Sequence, residues 1–147
     1  MREQRIRPIA ICVCLHTDRI LVAEYPEQGR FFYRPLGGTI EFGERGEAAV
    51  RREFREEIGT DLTEVRYLGM LENIYNYKEE LGHEIVLVYD GRLVDESLYD
   101  QPVIQGDELG DPFNAVWKLL DEFGPGKPPV YPDGLLELLK GKEDLSP

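Results

Sequence analysis

One stretch of this chain changes its period. From Gly46 to Ile58 the apolar side chains Val50, Phe54 and Ile58 recur at every fourth position, which lines one face of an α-helix of 3.6 residues per turn. Gly59 follows directly, where a left-handed C-terminal cap is expected. Glu53, Glu56 and Glu57 fall on the adjoining side of the same helix and span roughly 100° of arc. The helix therefore has two stripes. One suits packing on a sheet, and the other suits an open site.

The rest of the chain reads mainly as strands. Ile6 to Leu15 and Arg19 to Tyr25 are apolar or β-branched and close enough for a hairpin. A turn is expected over Tyr25–Gly29, extended chain over Phe31–Tyr33, punctuation at Gly37-Gly38 and a short strand over Thr39–Phe42. Val65–Tyr77 and His83–Val94 read as longer strands around a turn at Lys78–Gly82. Glu96–Pro112 is polar and glycine-bearing and reads as a loop with at most one helical turn. Ala115–Leu119 is a last strand, followed by a short helix near Asp121, a stiff Gly124–Pro129 linker and a terminal helix over Pro132–Lys140. No repeat or internal boundary is evident, so residues 1–147 are expected to form a single domain, with 141–147 frayed.

Composition narrows the partners. The formal net charge is −12, and that field opposes general binding to nucleic acid or an anionic membrane. A phosphate-bearing substrate stays open if a metal ion bridges the two. The longest apolar run, Ile9–Leu15, is far short of the ~20 residues of a membrane span, and no cleavage site follows it. The expected location is cytoplasmic. Cys12 and Cys14 point to one side of a strand and are poorly placed to bridge each other, so both are expected as reduced core thiols.

The helix carries a cost that asks for compensation. Glu53 and Glu57 are like charges at i, i+4, which costs a few tenths of a kcal/mol in an isolated helix, roughly. Arg52 offsets part of it, and a divalent cation would offset more. The acids are all carboxylates, with no nearby Cys or His, and hard oxygen donors suit Mg²⁺ or Mn²⁺ rather than Zn²⁺. Metal-assisted displacement at phosphorus is the chemistry that follows.

The spacing makes the segment specific. It reads Gly38-x5-Glu44-x7-Arg52-Glu53-Phe54-x-Glu56-Glu57-x-Gly59-Thr60. This resembles the Nudix hydrolase signature, G-x5-E-x7-R-E-U-x-E-E-x-G-U, and every fixed letter is present. A chance match from average residue usage is on the order of one in a million. Phe54 and Thr60 depart from the aliphatic U positions, and neither is among the ligands the resemblance implies. It implies an α/β/α sandwich around a mixed β-sheet, with the signature as a loop–helix–loop. It also implies hydrolysis of the diphosphate bond in a nucleoside diphosphate linked to another moiety, with Mg²⁺ or Mn²⁺. Glu53, Glu56 and Glu57 would be the metal carboxylates and the Gly37 carbonyl a further ligand. Arg52 would orient them, with Glu53 or Glu56 its partners. Glu44 would be structural or an outer ligand, Gly38 would permit a tight turn, and Gly59 the helix exit. A homodimer is implied by the same analogy. The alternative on this fold is a nucleotide-sensing or regulatory module without turnover, and the complete glutamate set argues against it.

Outside the signature, members of that family often take one more acid from a loop. Asp107, Glu108 and Asp111 are the candidates, with Glu108 favoured as ligand or general base; ordinary loop acids is the competing reading. Arg34 stands ready for phosphate oxygens or for a surface ion pair. Tyr75 and Tyr77 share one sheet face, where they either stack on a nucleobase or simply pack. Glu84, at a strand start, either faces the cleft or is a solvated strand end, and the second is the favoured reading. The expected partner is a small nucleotide.

Overall fold

A computed structural model describes residues 4–141; of the end expected to be frayed, 141–147, only Gly141 is among them, its N–H donated to the Glu137 carbonyl at 3.1 Å, and 142–147 lie outside. The described residues form eight strands and two α-helices: β1 (Ile6–His16), β2 (Arg19–Glu27), β3 (Arg30–Arg34), β4 (Leu36–Thr39), α1 (Gly46–Ile58), β5 (Leu62–Tyr77), β6 (Glu80–Leu93), β7 (Val103–Glu108), β8 (Asp111–Leu119) and α2 (Leu135–Lys140). The main path of the sheet runs β5-β6-β1-β2-β8-β7, with β3 paired to β2 and β4 to β1. β1 runs parallel to β6 and antiparallel to β2 and β4, so the sheet is mixed.

β1 explains the layering. Its middle is buried without a break from Ile9 to Cys14, as expected of a strand covered on both faces. Ala10, Cys12 and Cys14 pack with Ala49, Val50 and Phe54 of α1. Ile9, Ile11 and Val13 pack with Leu135 and Leu139 of α2 on the other face. The result is an α/β/α sandwich. The two cysteines are free and buried with sulfurs 3.9 Å apart, and burial pushes the Cys12 thiol up. None of the helices described is long and apolar enough to cross a membrane.

Several elements differ from what the sequence suggests. The polar stretch 96–112 is not a loop: after a 3₁₀ turn at Glu96–Asp100 it becomes β7, hairpinned to β8. Leu109 and Gly110 both take positive φ between the paired Glu108 and Asp111, a two-residue turn whose twist matches the strands. Gly106 suggested a break, yet a Cβ there would fall 2.3 Å from the Phe113 ring. The glycine is the space that ring occupies. Gly37 and Gly38 do not punctuate; they lie inside β4, paired with Ile11 and Ala10. A Cβ on Gly37 would fall 2.0 Å from the Ala10 carbonyl oxygen, so close strand approach, not a turn, requires that glycine. The strand expected at Thr39–Phe42 ends at Thr39, and Phe42 is fully exposed.

Candidate active site

α1 closes one side of a cleft of about 900 Å³ whose other walls come from β1 to β6 and the tip of the β7–β8 hairpin. The volume suits a small-molecule ligand. α1 exposes its acidic stripe here because Val50 and Phe54 are fully buried against the sheet. Gly59, at φ 70°, caps its end with an N–H donated to the Arg55 carbonyl at 3.2 Å, as the sequence predicts.

Glu53, Glu56, Glu57, Glu108, Gly37, Gly38 and Arg52 all line this cleft. Glu57 is 7% exposed, and its pKa is pushed up to about 10, by burial first, then by a hydrogen bond with Glu53 and the charges of Glu53, Glu108 and Glu56. Two carboxyls in that contact are stable only with a proton or a cation between them. Glu108 arrives from the end of β7, a strand packed along α1. Its pKa is raised as well, by desolvation and then by Glu53. Gly38 has a role the sequence did not reveal: a Cβ there would lie 2.5 Å from the Glu53 carboxyl carbon. Its bare backbone is the seat of that carboxylate, not a tight turn.

Arg52 is the organiser. It donates to both oxygens of Glu44 at 2.9 and 3.0 Å, to Glu53 at 2.7 Å, to Glu56 at 3.4 Å and to the Thr39 carbonyl at 3.1 Å. Its principal partner is thus Glu44, whose pKa the Arg52 guanidinium lowers. Glu44 also accepts from the Glu41 amide at 3.0 Å, tying the loop before α1 to the helix. Among the described residues no three His, Cys, Asp or Glu side chains already enclose a point as a finished metal cage, and Glu53 and Glu56 are both hydrogen-bonded to Arg52. The chemistry fits a hard divalent cation all the same: on top of burial, repulsion among Glu53, Glu56, Glu57 and Glu108 raises the Glu57 pKa, a cation would relieve that repulsion, and every candidate donor is oxygen.

The far side of the cleft is aromatic and basic. Phe32 stacks on Tyr25 (5.1 Å between centroids) and meets Tyr77 and Tyr131 edge-on at 6.1 and 5.8 Å. Tyr77 therefore joins an aromatic group, whereas the Tyr75 hydroxyl lies 3.4 Å from the Glu84 carboxylate. Arg34 lines the cleft and pairs with Glu84 at 3.4 Å. Glu84 is not a solvated strand end but 2% exposed. The sequence did not point to Arg7, Tyr25, Phe32, Asn73 or Tyr131, and for Glu84 it favoured solvent over the cleft; only the Phe31-Phe32-Tyr33 run ahead of Arg34 offered a local hint.

The family model described as NUDIX domain matches residues 5–134. The NAD-capped RNA hydrolase NudC of Pseudomonas aeruginosa is 30% identical over 121 residues, which cover 82% of this chain and 39% of that protein. The Mycobacterium bovis protein of the same name is 42% identical over 67 residues, covering 44% of this chain and 21% of it. The chain thus spans between about a fifth and two-fifths of the length of the curated relatives it matches. Among solved structures, the MutT NUDIX hydrolase from Burkholderia pseudomallei superposes with a TM-score of 0.63 at 21% identity, over 95% of this chain and 100% of that one.

Proposed function

The chain belongs to the Nudix family, and from that premise we propose that it hydrolyses the diphosphate linkage of a small dinucleotide-like substrate with a divalent cation, Mg²⁺ or Mn²⁺. Glu53, Glu56 and Glu57 would hold the cation together with the Gly37 carbonyl. When bound, it would neutralise phosphate charge and acidify water. The single observation that carries the reading is that Glu53, Glu56, Glu57 and Glu108 line one cleft large enough for a nucleotide, with Glu57 buried in its wall.

The reaction assigned to these side chains is direct. A water oxygen forms a bond to one bridging phosphorus while the bond from that phosphorus to the bridging oxygen breaks. Glu108 takes the water proton; its raised pKa brings a carboxylate base nearer to neutrality. Arg52 holds Glu53 and Glu56 in place through the shared hydrogen bonds. Arg34 faces phosphate oxygens, and Phe32 with Tyr77 offers ring faces and edges to a base. A nucleoside phosphate leaves. The relatives' name, NAD-capped RNA hydrolase, favours a pyridine dinucleotide linkage as substrate. The net charge of −12 opposes a long RNA tail, so the small dinucleotide is preferred.

The test is a product-resolved screen of NAD⁺, NADH, ADP-ribose, dinucleoside polyphosphates, nucleotide sugars and nucleoside triphosphates, each with Mg²⁺, Mn²⁺ or EDTA. Metal-dependent release of two mononucleotides from a dinucleotide is expected. Cleavage confined to triphosphates would overturn the substrate class. No turnover, together with tight nucleotide binding, would overturn the hydrolase in favour of a sensor.

A further inference from the structure

Across the cleft from the acidic helix lies a second charged cluster, built around a buried carboxylate. Glu84 sits on β6 between two neighbours fixed by strand register: Arg7 is its partner on β1 and Asn73 its partner on β5. Its side chain is only 3% exposed. Arg34 reaches it from β3 at 3.4 Å, Arg7 at 3.8 Å, the Asn73 amide at 3.3 Å and the Tyr75 hydroxyl at 3.4 Å. Burying a carboxylate is expensive unless it is well paired, and here two guanidinia face one carboxylate. Counted against Glu84 alone the two guanidinia leave one positive charge in excess, and Glu108 on the hairpin tip lies within their field. Both guanidinia remain partly open on the cleft side, at 30% and 23% side-chain exposure. Asn73 is itself pinned, since its carbonyl oxygen accepts from the Asp133 amide at 3.2 Å.

We propose that Arg7 and Arg34, aimed by Glu84 and Asn73, form a second phosphate-binding subsite facing the acidic helix, and that Glu84 is a positioning residue rather than a mere neutralising counter-ion. The two phosphoryl groups of a diphosphate would then be held apart: one beside Glu53, Glu57 and Glu108, the other on the paired guanidinia. A guanidinium presents a planar fork of donors that matches phosphate oxygens, and a carboxylate behind it fixes the plane of that fork. That use for substrate rests on the hydrolase reading; the binding of an anion does not.

The competing view of Glu84 predicts the opposite sign, which makes the proposal testable. The protein is titrated with inorganic pyrophosphate in EDTA at low salt, followed by ³¹P line broadening. Saturable binding of pyrophosphate is expected, weakened about tenfold in Arg7→Gln, or roughly 1.4 kcal/mol. Glu84→Gln removes a negative charge from the cleft, so a counter-ion role predicts tighter binding. A positioning role predicts binding weaker by about tenfold, because the forks lose their aim. Pyrophosphate affinity in Glu84→Gln equal to or above wild type overturns the proposal. Should that variant fail to fold by circular dichroism, Arg7→Gln decides alone, and an unchanged affinity overturns it. Turnover of the nucleotide panel is scored separately. Pyrophosphate binding without turnover supports the subsite and sinks the hydrolase; turnover with no pyrophosphate binding does the reverse.

Discussion

Replacing Gly38 with alanine separates catalysis from folding more cleanly than removing any glutamate. The added Cβ falls 2.5 Å from the Glu53 carboxyl carbon and 2.6 and 2.8 Å from its oxygens. Ordinary contact begins near 3.4 Å, so the carboxylate must retreat by about 1 Å. The end of a glutamate side chain moves cheaply, and Gly38 is not among the positive-φ glycines. The fold therefore tolerates the change, within about 1 kcal/mol, or roughly 2–4 °C in Tm. The site does not tolerate it. The Glu53 carboxylate is held at 2.7 Å by Arg52 and hydrogen-bonded with Glu57, so its retreat disturbs both. Misplacing a catalytic constellation by about 1 Å costs on the order of 10²-fold in rate, close to 2.7 kcal/mol of transition-state stabilisation, roughly. Steady-state kinetics with Mg²⁺ and a thermal melt on one preparation check this. Gly37→Ala is the control: its Cβ would strike the Ala10 carbonyl at 2.0 Å and the Ile11 Cα at 2.7 Å, both backbone of β1, and it should unfold or melt far lower. Activity within twofold of wild type in Gly38→Ala, or a wild-type melt in Gly37→Ala, refutes the reasoning.

Three further outcomes follow from the same geometry. Glu57→Gln should lower kcat by orders of magnitude while the metal-free protein melts no lower than wild type, since the amide can still donate to Glu53. Because the folded pKa of Glu57 lies above its ordinary value, near 10, its contribution is fully present below about pH 4.5 and drains away as pH rises towards 10. Melts in EDTA between about pH 5 and 9 should thus fall more steeply for wild type than for Glu57→Gln; parallel curves would remove the Glu53–Glu57 contact from the account. Glu44 has the opposite sign: Arg52 lowers its pKa, so its contribution is present above the ordinary carboxylate value and lost as pH falls through the lowered one. Glu44→Gln should therefore flatten the acid limb of a Tm–pH profile. Phe32→Ala should raise KM for a nucleotide substrate by roughly tenfold, about 1.4 kcal/mol within the range for base stacking on an aromatic ring, leaving pyrophosphate affinity unchanged; an unaltered KM would exclude the aromatic group from base binding.

The helical half of the site was legible because its geometry is local. Glu53, Glu56 and Glu57 share a face through the helix period alone, and Arg52 and Glu44 lie within one short loop–helix segment. Glu108 was found in sequence and placed in the wrong element, because Gly106 and Gly110 look like loop residues until Phe113 is seen lying over the first and the hairpin turning at the second. Glycine that makes room for a ring and glycine that breaks a strand are the same letter. Gly38 was likewise given a role in a turn when its missing side chain serves a carboxylate.

Of the opposite half, Arg34, Tyr75 and Tyr77 were named from the sequence, but the cluster around Glu84 was illegible, for a reason that bears on the substrate. Arg7, Asn73 and Glu84 become neighbours only through the parallel register of β1 on β6 and the antiparallel register of β5 on β6. No spacing in the chain encodes that meeting. A glutamate near the start of a strand ordinarily projects into water; Glu84 does not, because strands flank it on both sides and Arg34 reaches over from β3. The fixed spacing of α1 can therefore specify the attack on a diphosphate, while what hangs from that diphosphate is read by residues that only the assembled sheet brings together. Altering Phe32 should consequently change which molecule is bound, altering Arg7 or Glu84 should weaken the hold on any diphosphate, and altering the α1 glutamates should change whether anything is cleaved.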